Sequence, residues 1–281
     1  MKLVRFGTRG LERPGMVAPD GSLRDLSRVV PDIAGITLRR DGLDRLRQID
    51  PMDLPLIPEG APLSSCVPPP INFIGIGRNY AEHAAETGAE TPKEPLLFNK
   101  APTSIAGPYD DIVLPPEASK TDWEVELGVV ICQRSYRVAE ERALDHIAGY
   151  CLVNDVSDRG FQFDSTGQYV KGKSLPTFGP VGPWLVTQDE IANVQALGLW
   201  LDLNGERMQA GTTADMVHSV VKLVSYITHF MELMPGDVIS TGTPAGVGHG
   251  MTPPRYLQPG DDLAFGIDGL GEQRHRVAAY A

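Results

Sequence analysis

The sequence predicts a β-rich α+β protein, and three observations lead to that fold class. The 24 prolines and 30 glycines are spread along the 281 residues, a distribution typical of many strands joined by turns. The apolar runs between them are short. Only residues 213–232 carry the apolar spacing of a long amphipathic helix, so we expect few helices.

A proline-rich segment divides the chain. Seven of the twenty residues 51–70 are proline, which fixes φ and donates no backbone hydrogen bond, so we predict an extended linker there. The expected domains are a small N-terminal α+β domain, residues 1–66 with the linker, and a larger domain, residues 67–281, which carries the candidate site residues described below.

Strands and short helices alternate after the linker. We predict strands at 71–77, 122–132 and 151–157, and a C-terminal strand pair within 259–277. Residues 197–208 are predicted to form a hairpin with Asn204-Gly205 as its two-residue turn. The predicted helices are 78–88, ending at Gly88, 139–150 and 213–232.

Composition excludes several classes of function. The net charge is −11 and the Lys and Arg residues form no basic stripe, so we expect no nucleic acid partner. No apolar run approaches the roughly 20 residues that span a bilayer. Three cysteines without CxxC spacing suggest no disulfide framework, and Cys132 and Cys151 are predicted to be buried thiols. Together these features predict a cytoplasmic protein.

Three acidic residues are candidate metal ligands. Glu124 and Glu126 are two residues apart in a predicted strand, so their side chains share one face; a solvated polar face is the alternative. Asp155 ends a second apolar strand. Converging carboxylates repel and their pKa values rise, and a divalent cation relieves this. Oxygen ligands favour Mg²⁺ or Mn²⁺, or Ca²⁺, over Zn²⁺.

Two further pairs are candidates for catalysis. Lys171 and Lys173 repeat the spacing of two, and such a lysine can stabilise a developing enolate; an exposed basic turn is the alternative. His83 and Glu86 are neighbours on one face of a helix, where a carboxylate can orient a histidine general base. A surface pair without function is the alternative.

Two glycine-rich stretches resemble nucleotide-binding loops only in part. Residues 75–80 follow a strand, but Tyr80 replaces the third glycine of the dinucleotide fingerprint, which excludes it. Residues 240–248 lack the GK[ST] of a phosphate loop. Their amides and the Thr243 hydroxyl can hold a carboxylate, and a plain tight turn is an equal alternative.

Six motifs occur in one order and together cover roughly residues 71–250: GRNYAEHAAE, PLLFNKAPTS, DWEVELGVVI, LVNDVSDRGFQ, KGKSLPTFGPVGP and STGTPAGVG. Because it contains these six motifs in this order, the chain resembles the fumarylacetoacetate hydrolase family. The resemblance implies a catalytic domain built on a rolled mixed β-sheet, and a homodimer. One departure is Pro176, where many relatives carry Asp, and we expect it to alter the pocket rim.

The resemblance also implies roles for individual residues. Mg²⁺ or Mn²⁺ is expected on Glu124, Glu126 and Asp155. His83 and Glu86 resemble the catalytic dyad on a mobile lid, and Lys173 the active-site lysine. The positions that resemble substrate contacts are Arg78, Tyr80, Arg159, Gln162 and Thr243.

The implied activity is hydrolysis of the C3–C4 bond of a 2,4-diketo (acylpyruvate-type) acid. Residues 246–273 resemble members that act on sugar acids, so the expected substrate is 2,4-didehydro-3-deoxy-L-rhamnonate or -fuconate, with pyruvate and L-lactate as products. The alternatives on the same scaffold are a fumarylpyruvate or other acylpyruvate hydrolase, an isomerase and an oxaloacetate decarboxylase. A metal-dependent keto-acid binding protein is the alternative without catalysis.

Overall fold

Strands make up most of the regular structure in the computed structural model, which describes residues 1–164 and 166–281. In chain order the strands are Lys2–Phe6 (β1), Arg13–Val17 (β2), Leu23–Asp25 (β3), Leu63–Ser64 (β4), Phe73–Gly77 (β5), Leu96–Lys100 (β6), Ile105–Ala106 (β7), Ile112–Leu114 (β8), Thr121–Asp122 (β9), Val125–Ile131 (β10), Ile147–Asn154 (β11), Ser157–Asp158 (β12), Gly179–Thr187 (β13), Gly198–Leu203 (β14), Glu206–Thr212 (β15), Val238–Ser240 (β16), Asp262–Ile267 (β17) and Gly271–Ala279 (β18).

The helices are short. The α-helices are Arg40–Arg47 (α1), Ala81–Glu86 (α2), Arg159–Phe163 (α3), Tyr169–Lys173 (α4) and Val220–Phe230 (α5). Short 3-10 helices occur between the other elements, and the longest of those described is Glu140–His146. Across the two described ranges, no helix has both the length and the apolar character to cross a membrane.

Two sheets form the framework. The larger has the strand order β3-β2-β1-β13-β11-β10-β16-β5-β6, with β4 beside β1 and β7 beside β13. It is mixed, since β10 and β11 are antiparallel whereas β16 and β5 are parallel. The smaller sheet has the order β15-β14-β17-β18-β8. The predicted β-rich α+β fold with a large mixed sheet is therefore confirmed.

The N-terminal strands share the larger sheet with the rest of the chain. β1 pairs antiparallel with β13, with Leu3 opposite Leu185, so residues 1–66 and 67–281 contribute neighbouring strands. Most of the proline-rich segment lies outside regular strands, apart from the two residues of β4 beside β1. The division near residue 66 stays a prediction.

The strand predicted at 122–132 is interrupted at residues 123–124, between β9 and β10. Three other local predictions were wrong in part. The predicted helix at 139–150 ends at His146, because Ile147 onward joins β11 and pairs with β10; long-range pairing overrides local helix propensity. The predicted helix at 213–232 begins only at Val220, where the Ser219 hydroxyl accepts a hydrogen bond from the Lys222 amide, the usual N-cap arrangement.

The third error concerns Lys171 and Lys173, which lie on α4 rather than on a strand. Residues two apart do not share a face of a helix, so the spacing argument for this pair fails. Lys173 is buried and Lys171 is exposed.

The core lies along β10 and β11, whose residues are all buried. Leu127 and Leu152 are opposite each other in the antiparallel register and belong to the same apolar cluster as Phe265 of the second sheet. Because both faces of these strands are covered, the residues at their ends are held in one place.

We expect Leu152→Ala to lower the free energy of unfolding by about 2–5 kcal/mol, because it opens a cavity in this fully buried position. Leu11→Ala, at a side chain that is 76% exposed, should change it by no more than about 0.5 kcal/mol. Urea unfolding of both variants measures the difference, and equal values would contradict the assigned core.

Candidate metal centre and active site

The three predicted metal ligands meet where β10 begins and β11 ends. The antiparallel register places Val125 opposite Asn154, and the Asp155 amide donates to the Glu124 carbonyl oxygen at 2.9 Å. One carboxylate oxygen from each of Glu124, Glu126 and Asp155 can be chosen so that all lie within 4.8 Å of one another, and all three residues are buried. The strand pairing thus brings together acids that are 31 positions apart in the chain.

This arrangement fits a hard divalent cation. Such ions bind oxygen ligands at about 2.0–2.6 Å, so oxygens around one ion are separated by no more than about 5 Å, as observed. Burial raises the pKa of Glu126, and the Asp155 and Glu124 carboxylates raise it further. A bound cation would offset that repulsion, so the residues present suit Mg²⁺ or Mn²⁺.

Buried cations contact two of the three acids, Glu124 and Asp155. The Lys173 ammonium donates to Glu124 Oε2 and to Asp155 Oδ2, both at 2.6 Å. The Arg159 guanidinium donates to Glu124 Oε1 at 2.7 Å. Burial acts to raise the pKa of Glu124, but the charges of Lys173 and Arg159 outweigh it and hold that pKa below its ordinary value.

Lys100, at the end of β6, is a third cation that the sequence reasoning missed. Its side chain is fully buried, and its ammonium donates to Asp155 Oδ1 at 2.6 Å and to the Val156 carbonyl oxygen at 3.3 Å. Burial lowers the pKa of Lys100 despite the opposing charge of Asp155. The signal in the sequence was slight: a lysine that ends an apolar strand.

Asp122 was also missed, although it continues the spacing of two through Glu124 and Glu126. It is fully buried and its Oδ2 accepts from Arg159 Nη2 at 2.7 Å and Nε at 2.9 Å. The amides of Gly248 and His249 also donate to it, at 2.7 and 3.1 Å. Asp122 therefore fixes Arg159 beside Glu124 and joins both to the glycine-rich loop.

The glycine-rich loop, residues 240–250, holds carboxylates through its amides. Gly242 donates to Glu126 Oε2 at 2.7 Å and Gly246 donates to Glu86 Oε2 at 2.8 Å. Gly246 has a φ of +103°, and a Cβ there would lie 2.0 Å from the Met208 carbonyl oxygen. The loop amides therefore hold two of the protein's own carboxylates, and the binding of a ligand carboxylate by this loop stays a prediction.

His83 and Glu86 form the predicted pair on α2. His83 Nδ1 lies 2.8 Å from Glu86 Oε1, and Glu86 is held from its other oxygen by Gly246. Because a carboxylate can only accept, the hydrogen of a neutral His83 belongs on Nδ1, which leaves Nε2 able to take a proton.

A cavity of about 320 Å³ brings most of the predicted residues together. This is within the usual range for small-molecule sites. Its wall includes the following predicted site residues: Arg78, His83, Glu124, Glu126, Arg159, Gln162, Lys173 and Thr243. Glu86 and Asp155 contact members of this wall from behind it.

Two predicted substrate contacts are placed unexpectedly. Tyr80 is not on the wall; it is 2% exposed, and its hydroxyl has no hydrogen-bond partner in the described part of the chain. Burial raises the pKa of Tyr80, and the charges of Glu126 and Asp215 raise it further. Thr243 lines the cavity, but its hydroxyl already donates to the Val125 carbonyl oxygen at 2.9 Å and accepts from Gln209 at 2.8 Å. Both contacts stay predictions.

The profile of the fumarylacetoacetate (FAA) hydrolase C-terminal family matches residues 72–278. The chain belongs to this family. A Burkholderia cenocepacia protein named only as a hydrolase is 53% identical over 278 residues, 99% of both chains. The family is one of enzymes, so the assignment supports an enzymatic function.

Two solved structures of family members are similar over the whole of both chains. Fumarylacetoacetate hydrolase from Exiguobacterium antarcticum superposes with a TM-score of 0.84 at 35% identity. Maleylpyruvate hydrolase from Sphingobium sp. SYK-6, solved in complex with manganese(II) and pyruvate, superposes with a TM-score of 0.83 at 29% identity.

We expect Mn²⁺ to bind this fumarylacetoacetate hydrolase family member, and Glu126→Gln to weaken that binding at least about tenfold. Even residues that only support metal ligands typically contribute tenfold or more. Isothermal titration calorimetry measures the affinity. Asp237→Asn is the matched control, since Asp237 is a buried carboxylate that accepts from Asn72 and Met234. Unchanged Mn²⁺ affinity in Glu126→Gln would exclude Glu126 as a ligand.

Proposed function

We propose that this protein is a divalent-metal-dependent hydrolase that cleaves the C3–C4 bond of a 2,4-diketo acid. The observation that carries the proposal is a single cavity lined by His83, Glu124 and Glu126. A histidine base oriented by a carboxylate therefore faces the same space as the candidate metal ligands. A general base and an electrophile that reach one substrate are what hydrolysis of a β-dicarbonyl requires.

His83 supplies the base. Its Nδ1 hydrogen is held by Glu86, so Nε2 accepts a proton from water as the water oxygen adds to the C4 carbonyl carbon. The C3–C4 bond then breaks, and its electron pair passes to C3 and spreads onto the C2 keto oxygen. C3 takes up the proton held by His83, and the acid formed from the acyl group releases its proton to solvent. The products are pyruvate and the carboxylate of the acyl group.

The negative charge that develops on the pyruvate half is stabilised at the buried end of the cavity. A cation on the three acids, when bound, supplies Lewis-acid stabilisation of an enolate oxygen. Arg159 and Gln162 lie side by side there, with Nη1 donating to Gln162 Oε1 at 3.1 Å. They can orient the substrate carboxylate, because Arg159 is fixed by Asp122 and Glu124 and does not need to reorganise.

An acylpyruvate is the substrate class this arrangement supports best, and the solved maleylpyruvate hydrolase with bound manganese(II) and pyruvate agrees with it. Within that class, the sequence favours 2,4-didehydro-3-deoxy-L-rhamnonate or -fuconate, which would yield L-lactate with pyruvate. That narrower substrate, the homodimer and the cytoplasmic location stay predictions.

Oxaloacetate decarboxylation is one competing reaction on the same scaffold, and isomerisation of a related keto acid is another. Decarboxylation needs a metal and enolate stabilisation but no attacking water. The His83–Glu86 pair, held also by the Gly246 amide, is not needed there to activate water, so the pair favours hydrolysis without excluding decarboxylation. Pyruvate formed from an acylpyruvate, compared with CO₂ formed from oxaloacetate, separates the two activities.

We expect His83→Ala to lower kcat for acylpyruvate hydrolysis by about 10²–10⁴-fold, the usual contribution of a general base. Mn²⁺ affinity should stay within about threefold, because His83 is not one of the three acids that hold the ion. Pyruvate release with an acetylpyruvate substrate gives kcat, and calorimetry gives the affinity.

His229→Ala is the control for this variant, since His229 is an exposed histidine of α5 outside the cavity. It should retain full activity. Near-normal turnover in His83→Ala would exclude His83 as the base.

A further inference from the structure

One side of the cavity is lined by a run of aromatic rings that the proposed chemistry does not use. Phe98 and Tyr169 have ring centroids 5.5 Å apart, and Tyr169 and Phe163 have theirs 5.8 Å apart. Phe163 also stacks on His249 at 5.8 Å. All four residues line the cavity, and we call them the aromatic wall. They come from β6, α3, α4 and the glycine-rich loop.

The aromatic wall begins beside the catalytic groups. The Lys173 ammonium lies 4.8 Å from the centroid of the Phe98 ring, and the same ammonium bonds Glu124 and Asp155. A substrate with its pyruvate half at the acids would therefore have its acyl half near these rings.

The wall leaves apolar surface open to the cavity. Phe163 is 41% exposed, although phenylalanine side chains are most often buried. An open apolar surface inside a ligand-sized cavity is typical of a binding site. An aromatic or apolar ligand would remove it from water, and aromatic rings at these separations attract one another beyond their area of contact.

Polar groups near the wall are paired within the protein. The Lys120 ammonium donates to Asp164 at 2.7 Å, and His249 Nδ1 lies 3.0 Å from the Tyr256 hydroxyl. A hydroxylated chain placed here would compete with these pairs for their donors and acceptors, whereas an aromatic acyl group would leave them undisturbed.

We propose that the aromatic wall selects a flat aromatic acyl group, so that aroylpyruvates are the favoured substrates. The inference rests on the proposed function and differs from the sugar acid predicted by the sequence in the acyl group alone. The reaction is unchanged: water adds at C4, the C3–C4 bond breaks, and benzoylpyruvate gives benzoate and pyruvate.

A panel of three substrates tests the inference on the full-length protein with Mn²⁺. The substrates are acetylpyruvate, benzoylpyruvate and 2,4-didehydro-3-deoxy-L-rhamnonate, and pyruvate release gives kcat/KM for each. Benzoylpyruvate should exceed both others by at least about tenfold, the order of an added aromatic contact. Equal or higher kcat/KM for either of the others would overturn the inference and leave the proposed function standing. No pyruvate from any of the three would overturn both.

Variants of Phe163 identify the wall as the cause. Phe163→Ala should lower the ratio of kcat/KM for benzoylpyruvate over acetylpyruvate at least about fivefold. Phe163→Leu, which keeps apolar volume without a ring, should give an intermediate ratio. Phe230→Ala removes a phenylalanine that is 63% exposed on α5, outside the cavity, and should leave the ratio unchanged. An unchanged ratio in both Phe163 variants would overturn the role of the wall.

Discussion

The balance of buried charge at the ends of β10 and β11 is the constraint on which the rest of the site depends. Four carboxylates lie there at no more than 4% exposure: Asp122, Glu124, Glu126 and Asp155. Lys100, Arg159 and Lys173 contact all of these except Glu126, which accepts from Ser240 and Gly242 instead. A buried ion without partners costs several kcal/mol. The carboxylates are therefore tolerated only when β6, α3 and α4 bring the cations to them. With four acids and three bases the cluster has a net charge of −1, and a divalent cation, when bound, would change it to +1, which suits an anionic substrate.

The glycine-rich loop also fixes the site, because its amides bond both to a candidate metal ligand and to the carboxylate that orients the proposed base. Gly242 donates to the candidate ligand Glu126, and Gly246 donates to Glu86, the partner of His83. One rigid segment thus sets the position of the metal ligand and of the base-orienting acid. A side chain at Gly246 would displace the loop from Met208, so a substitution there would disturb both at once.

Much of the site could be predicted from the sequence because its signals are local. Two acids spaced by two in an apolar strand, and a histidine three positions before a glutamate, mark Glu124, Glu126, His83 and Glu86 without knowledge of the fold. Asp122 carried the same local signal and was overlooked. Lys100 could not be found in this way, since its role depends on β6 lying beside β5 and facing Asp155. The helix predicted at 139–150 failed for the same reason, because the pairing of Ile147 with Ile131 is long-range.

The charged side and the aromatic side of the cavity differ in how far their residues can be substituted without loss of the fold. The charged residues are buried, and the three cations are bonded to Asp122, Glu124 and Asp155, so replacing a partner in these pairs leaves an unpaired ion in the interior. None of the four side chains of the aromatic wall takes part in the buried ion pairs. Its most exposed member, Phe163, lies on the short helix α3. Changes there alter the shape offered to the acyl group while the acids and lysines keep their partners. A change in the aromatic wall alone can therefore alter which acyl group is accepted while the reaction stays the same. In this proposal the wall, rather than the metal centre, determines the substrate preference.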